Sequence, residues 1–345
     1  MKNIYNYTLK ELEDAVVKLG EKKYKASQIY SWLYKKKAKS FDEMTDIKKN
    51  FIKTLKDNFI IGSISLEEKE VDVDVRKYLF KLSDNEHIEA VVMNHDYGLS
   101  ICVSSEIGCN MGCKFCESGR RKKVRNLEPA EIVEQILIAE DDIGERISHV
   151  VVMGIGEPFD NYDNIIKFVK IINDPKGLEI GIRHITVSTC GLVTRITSFA
   201  EDGKGANLAI SLHAPNDELR EKLMPINKVY KINDIIDAVK KYIDKTGRRV
   251  TFEYIMLDNI NDSEECAKEL SKLLKGLNCY VNLIPYNETE NIGYKRSKIF
   301  QIMKFYDILK KNNINVTIRR EFGSKISAAC GQLRSKKEEA WKPFI

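Results

Sequence analysis

Cys109, Cys113 and Cys116 lie on one short stretch, Cys109-Asn110-Met111-Gly112-Cys113-Lys114-Phe115-Cys116, with the spacing C-x3-C-x2-C. Thiolates are soft ligands that select zinc or iron–sulfur clusters. A closed zinc site takes four protein ligands, commonly from two C-x2–4-C pairs. The chain has no second C-x-x-C, so zinc would need Cys102 or a distant His as its fourth ligand. Three thiolates on one loop instead suit a four-iron cluster with one iron left open to a ligand. A chance grouping of core cysteines is the third reading. Gly154-Ile155-Gly156-Glu157-Pro158 is a second candidate feature. Its glycines permit close backbone approach and its carboxylate suits an ammonium group, although such a segment is also a common turn.

The elements that must position these residues alternate. Apolar strand candidates at 148–153, 184–188, 207–212, 250–256, 280–285 and 314–319 are interleaved with helical stretches at 128–143, 162–173, 232–246, 262–275 and 297–312. Alternation of this kind implies parallel strands joined by crossover helices. About six units predict an α/β fold, an open or partial barrel, short of the eight of a complete one. Functional groups then gather at the C-terminal ends of the strands, where Gly154 to Pro158 fall. Residues 60–105 read as short strands instead. Val71, Val73, Val75 and Tyr78, then Ile88, Ala90 and Val92, then Leu99, Ile101 and Val103 approach period two, and Ser83-Asp84-Asn85-Glu86 marks a hairpin turn. Residues 1–56 predict three short helices, the third from near Asp46 to Leu55.

The chain has 345 residues, enough for one large domain or two. With 43% hydrophobic and 31% charged residues it can bury a substantial core, which excludes global disorder. No apolar run approaches the ~20 residues of a membrane-spanning helix. The opening segment lacks the apolar run of a signal peptide, so a cytoplasmic location is expected. Eight cysteines in such a chain point to metal binding or catalysis rather than a disulfide scaffold. Net charge is only +5, but residues 1–56 carry fourteen lysines against seven acids, and five of the six residues from Arg120 to Arg125 are basic. Basic clusters suit a polyanion such as RNA; a solvated lysine-rich surface is the alternative.

The cysteine spacing and the Gly-Glu-Pro segment resemble the radical S-adenosylmethionine (SAM) superfamily. Longer motifs are similar to the RlmN/Cfr family of RNA adenine methyltransferases: Cys102 through Cys109, Arg125-Asn126-Leu127, Ser211-Leu212-His213, Leu223-Met224-Pro225-Ile226-Asn227, Val281-Asn282-Leu283-Ile284-Pro285 and Ala328-Ala329-Cys330-Gly331-Gln332-Leu333. The N-terminal segment from Gly20 to Met44 is similar too, so the likeness covers nearly the whole chain. It departs from the family at the more basic stretch 117–123 and at Ser327, where an Asp is usual.

The resemblance implies a partial (β/α)6 radical SAM barrel (99–335) behind a helical RNA-binding accessory domain (1–58) and connecting β-hairpins (59–98), with a tail at 336–345. It implies a [4Fe-4S] cluster on Cys109, Cys113 and Cys116. SAM contacts would come from Gly156, Glu157, Ser188, Ser211, Leu212, His213 and Asn287. Two SAM molecules are used per turnover. The electron-poor adenine carbon cannot take a methyl cation, so a radical route is needed. Cys330 is first methylated by one SAM, thiolates being strong nucleophiles. A radical from the second SAM then removes a hydrogen from that S-methyl group, and the resulting methylene radical adds to the base. Cys102 resolves the adduct through a transient disulfide with Cys330, and Glu89 accepts a proton. Cys190, Cys266 and Cys279 read as small buried hydrophobes.

The implied substrate is the peptidyl-transferase-centre adenosine of 23S rRNA, attacked at C2, with tRNA adenosine as a second substrate of some members. Glu157-Pro158 favours C2, since Cfr-type relatives, which attack C8 and affect antibiotic binding, tend to have Glu-Ala. A low-potential donor such as flavodoxin or ferredoxin would supply electrons, and the enzyme is expected as a monomer with no membrane partner. A reading of another class is a non-catalytic iron–sulfur or zinc RNA-binding protein, which leaves Cys102, Cys330 and the Gly-Glu-Pro segment unexplained.

Overall fold

The structure is a computed structural model that describes residues 1–289, 291–319 and 332. Three helices open the chain: α1 (Leu9–Lys18), α2 (Tyr24–Tyr34) and α3 (Lys49–Asn58). Thr8 and Glu11 close a reciprocal capping box at the start of α1, satisfying two backbone donors that a helix start leaves unpaired. The third helix begins later than Asp46. That carboxylate accepts from the Trp32 indole at 2.6 Å, and a 3-10 turn at Phe41–Glu43 precedes it. Lys2–Asn3 pairs in parallel with Phe59–Ile60, bringing the two ends of this segment together.

One ten-stranded sheet follows, its strands in chain order. Strands β1 (Ile64–Asp72), β2 (Val75–Leu82), β3 (His87–His95) and β4 (Gly98–Val103) are antiparallel. The expected turn at 83–86 is present, with Asn85 at a φ of 66°. The Val71–Val75 alternation does not belong to one strand. Val73 sits at the tip of the β1–β2 hairpin and is 93% exposed.

Within this sheet every pairing from β4 to the far edge is parallel, through β5 (Ile147–Val152), β6 (Ile185–Thr189), β7 (Asn207–Ser211), β8 (Val250–Met256), β9 (Cys279–Pro285) and β10 (Val316–Ile318). All six strands expected after residue 125 are found. β4 is a seventh, serving both as the last hairpin strand and as the first barrel strand. Crossovers run through α4 (Pro129–Ile143), α5 (Tyr162–Asn173), α6 (Val193–Asp202), α7 (Asp217–Leu223) with α8 (Ile232–Thr246), α9 (Glu264–Leu274) and α10 (Ile299–Lys311). Among the described residues β4 and β10 do not pair, so the barrel is partial.

The buried apolar core runs unbroken from the N-terminal helices into the barrel. The joint is α4. Its buried Glu134 accepts from the Asn3 amide and from the Ser63 and Ile64 backbone N–H groups. Its buried Glu140 accepts from the Ile147 N–H and pairs with Lys37 at 3.0 Å. Lys37 is therefore a docking group rather than part of an open basic face. The basic run is also engaged internally: Arg121 with Glu86, Lys123 with Glu106 and Asp160, and Arg125 with Asp84 and Glu131, all at 2.6–2.8 Å. Lys22, Lys35, Lys36 and Lys122 stay exposed.

Candidate active site

The cysteine loop leaves the C-terminal end of β4 and is pinched at its base. Glu106–Ile107 pairs antiparallel with Arg125–Asn126. Above this pair the Cys109 N–H donates to the Arg121 carbonyl at 2.9 Å. Gly108, at a φ of 73°, passes so close that a Cβ would stand 2.3 Å from the Lys122 carbonyl oxygen. The Cys116 N–H bonds the Cys113 carbonyl, and the Lys114 N–H bonds the Leu223 carbonyl at the end of α7. The three sulfurs are thus confined to one compact turn over the barrel mouth.

Gly154 to Pro158 faces them from the end of β5. A Cβ on Gly156 would lie 2.6 Å from the Glu106 side chain, and one on Gly154 2.7 Å from the Val103 carbonyl oxygen. The glycines let two strand ends touch. Glu157 is buried and its carboxylate accepts from the Phe159 N–H (3.0 Å) and the Cys190 N–H (2.8 Å). Its own N–H donates to Glu106 at 2.9 Å. Burial holds the Glu157 pKa above the ordinary carboxylate range, with these bonds opposing. Burial likewise pushes Glu106 up to about 7 against the pull of Lys123.

Ser188 on β6 and Ser211 on β7 complete the near wall, their hydroxyls 3.5 Å apart. One cleft is lined by Cys109, Cys113, Cys116, Gly156, Glu157, Ser188, Ser211 and His213. Leu212 is wholly buried behind that wall, and Asn287 is buried two residues past the end of β9. His213 adopts a left-handed backbone, φ 60°. Its Nδ1 accepts from the Ile255 N–H at 3.0 Å, which leaves the ring proton on Nε2. The ring meets Phe115 of the cysteine loop edge-on at 4.8 Å.

Burial drives the His213 pKa down to about 3, helped by Arg220. The folded ring is neutral, whereas an unfolded one takes up a proton below about pH 6.5. Its contribution to stability is full above that pH and is lost as pH falls toward 3. In metal-free His213→Gln, the loss of stability between pH 6.5 and 4 should be shallower by about one proton, read from denaturant curves at each pH. An unchanged slope would mean the ring is already charged in the fold.

The donor set fits an iron–sulfur cluster. Burial pushes the Cys113 thiol up to about 12 and Cys109 higher still. Metal-free thiols here hold their protons, and a bound cationic metal centre is what makes them thiolates. Among the described residues no three His, Cys, Asp or Glu converge on a point to hold a single ion. The three sulfurs border a cleft instead.

Two further expected residues share the inner face of the sheet. Cys102 on β4 lies opposite Val91 of β3, and Glu89 is two residues along β3 on the same face. Cys102 packs with Val91, Met93 and Ile155 beside the Gly-Glu-Pro segment. Glu89 is buried and pairs with the equally buried Lys77 at 3.1 Å, so it is no surface carboxylate. Cys330 lies outside the described residues.

Residues 103–270 match the Radical SAM superfamily model, and residues 2–61 match the ribosomal RNA large subunit methyltransferase N-terminal domain. The chain is 53% identical over 342 residues to a probable dual-specificity RNA methyltransferase RlmN of Spiroplasma citri, covering 98% of this chain and 99% of the relative. A protein of the same description from Acholeplasma laidlawii is 52% identical, with 96% and 99% covered. The chain belongs to the RlmN family. A crystal structure of a radical SAM methyltransferase from Sphaerobacter thermophilus superposes with a TM-score of 0.93 at 40% identity, covering 97% of this chain and 99% of that one. As a radical SAM protein of this family, the chain uses a [4Fe-4S] cluster and SAM.

Three residues of this RlmN-family site escape sequence reading. Glu106, Cys190 and Arg220 knit the strand ends together beneath the cleft. Glu106 had a signal in Gly156, whose side-chain-free approach needs a partner. Cys190 and Arg220 had none: Cys190 takes part through its backbone N–H and carbonyl, and only the fold brings the Arg220 side chain to the ends of β6 and β7.

Proposed function

We propose that this protein methylates an adenine base in RNA at C2, acting on the peptidyl-transferase-centre adenosine of 23S rRNA and on tRNA adenosine, through a methylated Cys330. The observation that carries the reading is the grouping around one barrel mouth. The cysteine loop, Gly156-Glu157, Ser188, Ser211 and His213 line the cleft, while Cys102 and Glu89 stand on the adjoining inner face. A purely structural cluster would not require the second group.

The chain's residues divide the work. Cys109, Cys113 and Cys116 hold the cluster. Bound there, it supplies the electron that splits SAM into methionine and a carbon radical. Gly156 admits the ligand backbone-close, and Ser188 and Ser211 offer hydroxyls to its polar groups. Neutral His213 donates from Nε2. Cys330 carries the one-carbon unit to the base. Cys102 then attacks the Cys330 sulfur, so that the S–S bond forms as the carbon–sulfur bond breaks; the released carbon takes up a proton to become the methyl group, and the adduct's unpaired electron would pass back to the bound cluster. Glu89, held beside Lys77, receives the proton lost from the adduct carbon. The basic N-terminal helices hold RNA through Lys22, Lys35 and Lys36. We place the enzyme in the cytoplasm as a monomer reduced by a flavodoxin- or ferredoxin-like donor; no helix among the described residues is long and apolar enough to cross a membrane.

Glu157-Pro158 supports C2 over C8. Anaerobic reaction with SAM, reductant and unmodified ribosomal RNA, followed by nucleoside mass spectrometry, should give 2-methyladenosine. 8-Methyladenosine would reassign the carbon. Deoxyadenosine formation without RNA methylation would remove RNA as the substrate.

A further inference from the structure

Arg220 on α7 is fully buried. Its Nε donates to the Leu212 carbonyl at 3.2 Å, Nη1 to the Asn227 side-chain oxygen at 2.9 Å, and Nη2 to the carbonyls of Cys190 and Ser211. Every acceptor is neutral, and among the described residues no carboxylate lies within ion-pairing distance. An enclosed guanidinium without a counter-ion is costly, and buried charges are ordinarily paired. Cys190, whose carbonyl Nη2 holds, packs in one apolar group with Cys113 and Cys116, and Leu223 at the end of α7 takes the Lys114 N–H of the cysteine loop, so the guanidinium stands beside that loop. Burial holds the Arg220 pKa below the usual guanidinium value, opposed by the neighbouring Cys190 and Cys113. Cys113 is one of the three sulfurs of the cleft.

We propose that Arg220 is the fixed counter-charge of the cluster site. It ties the ends of β6 and β7 to each other while stabilising the negative charge of thiolate-bound iron, and so raises the readiness of the cluster to accept an electron. Three thiolates outweigh the positive charge of a reduced four-iron core, and each added electron deepens the imbalance. A cation fixed in a dry site acts there with little screening. Its planar fork also explains the geometry: four of its five N–H groups are engaged, which a lysine cannot reproduce. Arg220 is a positioning residue, since it touches strand ends rather than substrate.

The inference rests on the cluster assignment to Cys109, Cys113 and Cys116, and not on which base is methylated. Wild-type protein that assembles no cluster would sink that assignment before Arg220 is tested. Wild type, Arg220→Met, Arg220→Gln and Arg220→Lys would be reconstituted anaerobically. Iron content and the midpoint of the one-electron cluster couple would be measured by a redox titration followed by electron paramagnetic resonance. Met and Gln should shift the reduction equilibrium against a fixed donor by on the order of tenfold, a midpoint about 59 mV more negative. Lys, which keeps the charge, should stay near wild type in potential but bind SAM more weakly because the fork is lost. If Met and Gln fail to load iron while Lys loads it, the charge requirement is again supported. Loaded Met and Gln variants with an unchanged midpoint overturn the proposal. So does failure of all three to load, which would assign the hydrogen-bond fork alone.

Discussion

Cys102→Ala enzyme, given SAM, reductant and RNA, should accumulate a covalent protein–RNA species, while Cys330→Ala yields neither that species nor product. The asymmetry follows from the order of the sulfur chemistry. In the proposed mechanism Cys330 carries the methyl group before anything reaches the base, and Cys102 acts only when the finished product is released. Its position fits a late nucleophile. It is buried on the inner barrel face, opposite Val91, two residues along from Glu89. A structural cysteine in that apolar group would behave otherwise. Truncation to Ala would cost on the order of 1 kcal/mol of stability and leave turnover largely intact. Denaturing gels and mass spectrometry of the band decide between them. Turnover in Cys102→Ala should fall by at least about a hundredfold, and an uncrosslinked, active variant would strip Cys102 of its role.

Cys113→Ala should lose most of the iron and all SAM cleavage. The loop is pinned at both ends by the pairing of Glu106–Ile107 with Arg125–Asn126 and by the Lys114–Leu223 backbone bond, so its shape does not depend on the Cys113 side chain. The variant should therefore fold, with a melting temperature near that of the metal-free wild type, while iron per chain drops from about four to below about one. Anaerobic assay for deoxyadenosine gives the second readout. Full activity with one zinc per chain would overturn the cluster.

Much of this was legible in the sequence because it was written in periodicity or in side-chain chemistry. The parallel strands announced themselves as apolar runs, and the cysteine loop as spacing. Helix α6 went unread. Val193 to Asp202 is rich in Thr, Ser and β-branched residues, weak helix formers whose helix depends on burying Ile196 and Phe199. The double role of β4 was also hidden, since alternation says nothing about which neighbour a strand finds. The basic run at 120–125 misled for a related reason. Charges read along a line look unopposed, but folding sets Glu86, Glu106, Asp84 and Glu131 against them. Lys22, Lys35 and Lys36 at the N-terminal helices remain exposed.

Helix α4 receives the N-terminal helices on one face and backs the barrel with the other. Asn3, Asn6, Lys37 and Lys39 reach Glu134, Glu128, Glu140 and Asp141 of its surface and N-cap, and the Asn6 oxygen accepts from the Ala130 N–H. The same helix sends Gln135 to grip Ser104 from both sides of its backbone, one residue past β4 and at the root of the cysteine loop. A barrel trimmed of its first sixty residues would leave Glu140 buried without its lysine. Chimeras between relatives face the same constraint: the leading helices travel between enzymes only in the company of a matching α4, and a mismatch there would disturb the loop that Gln135 steadies.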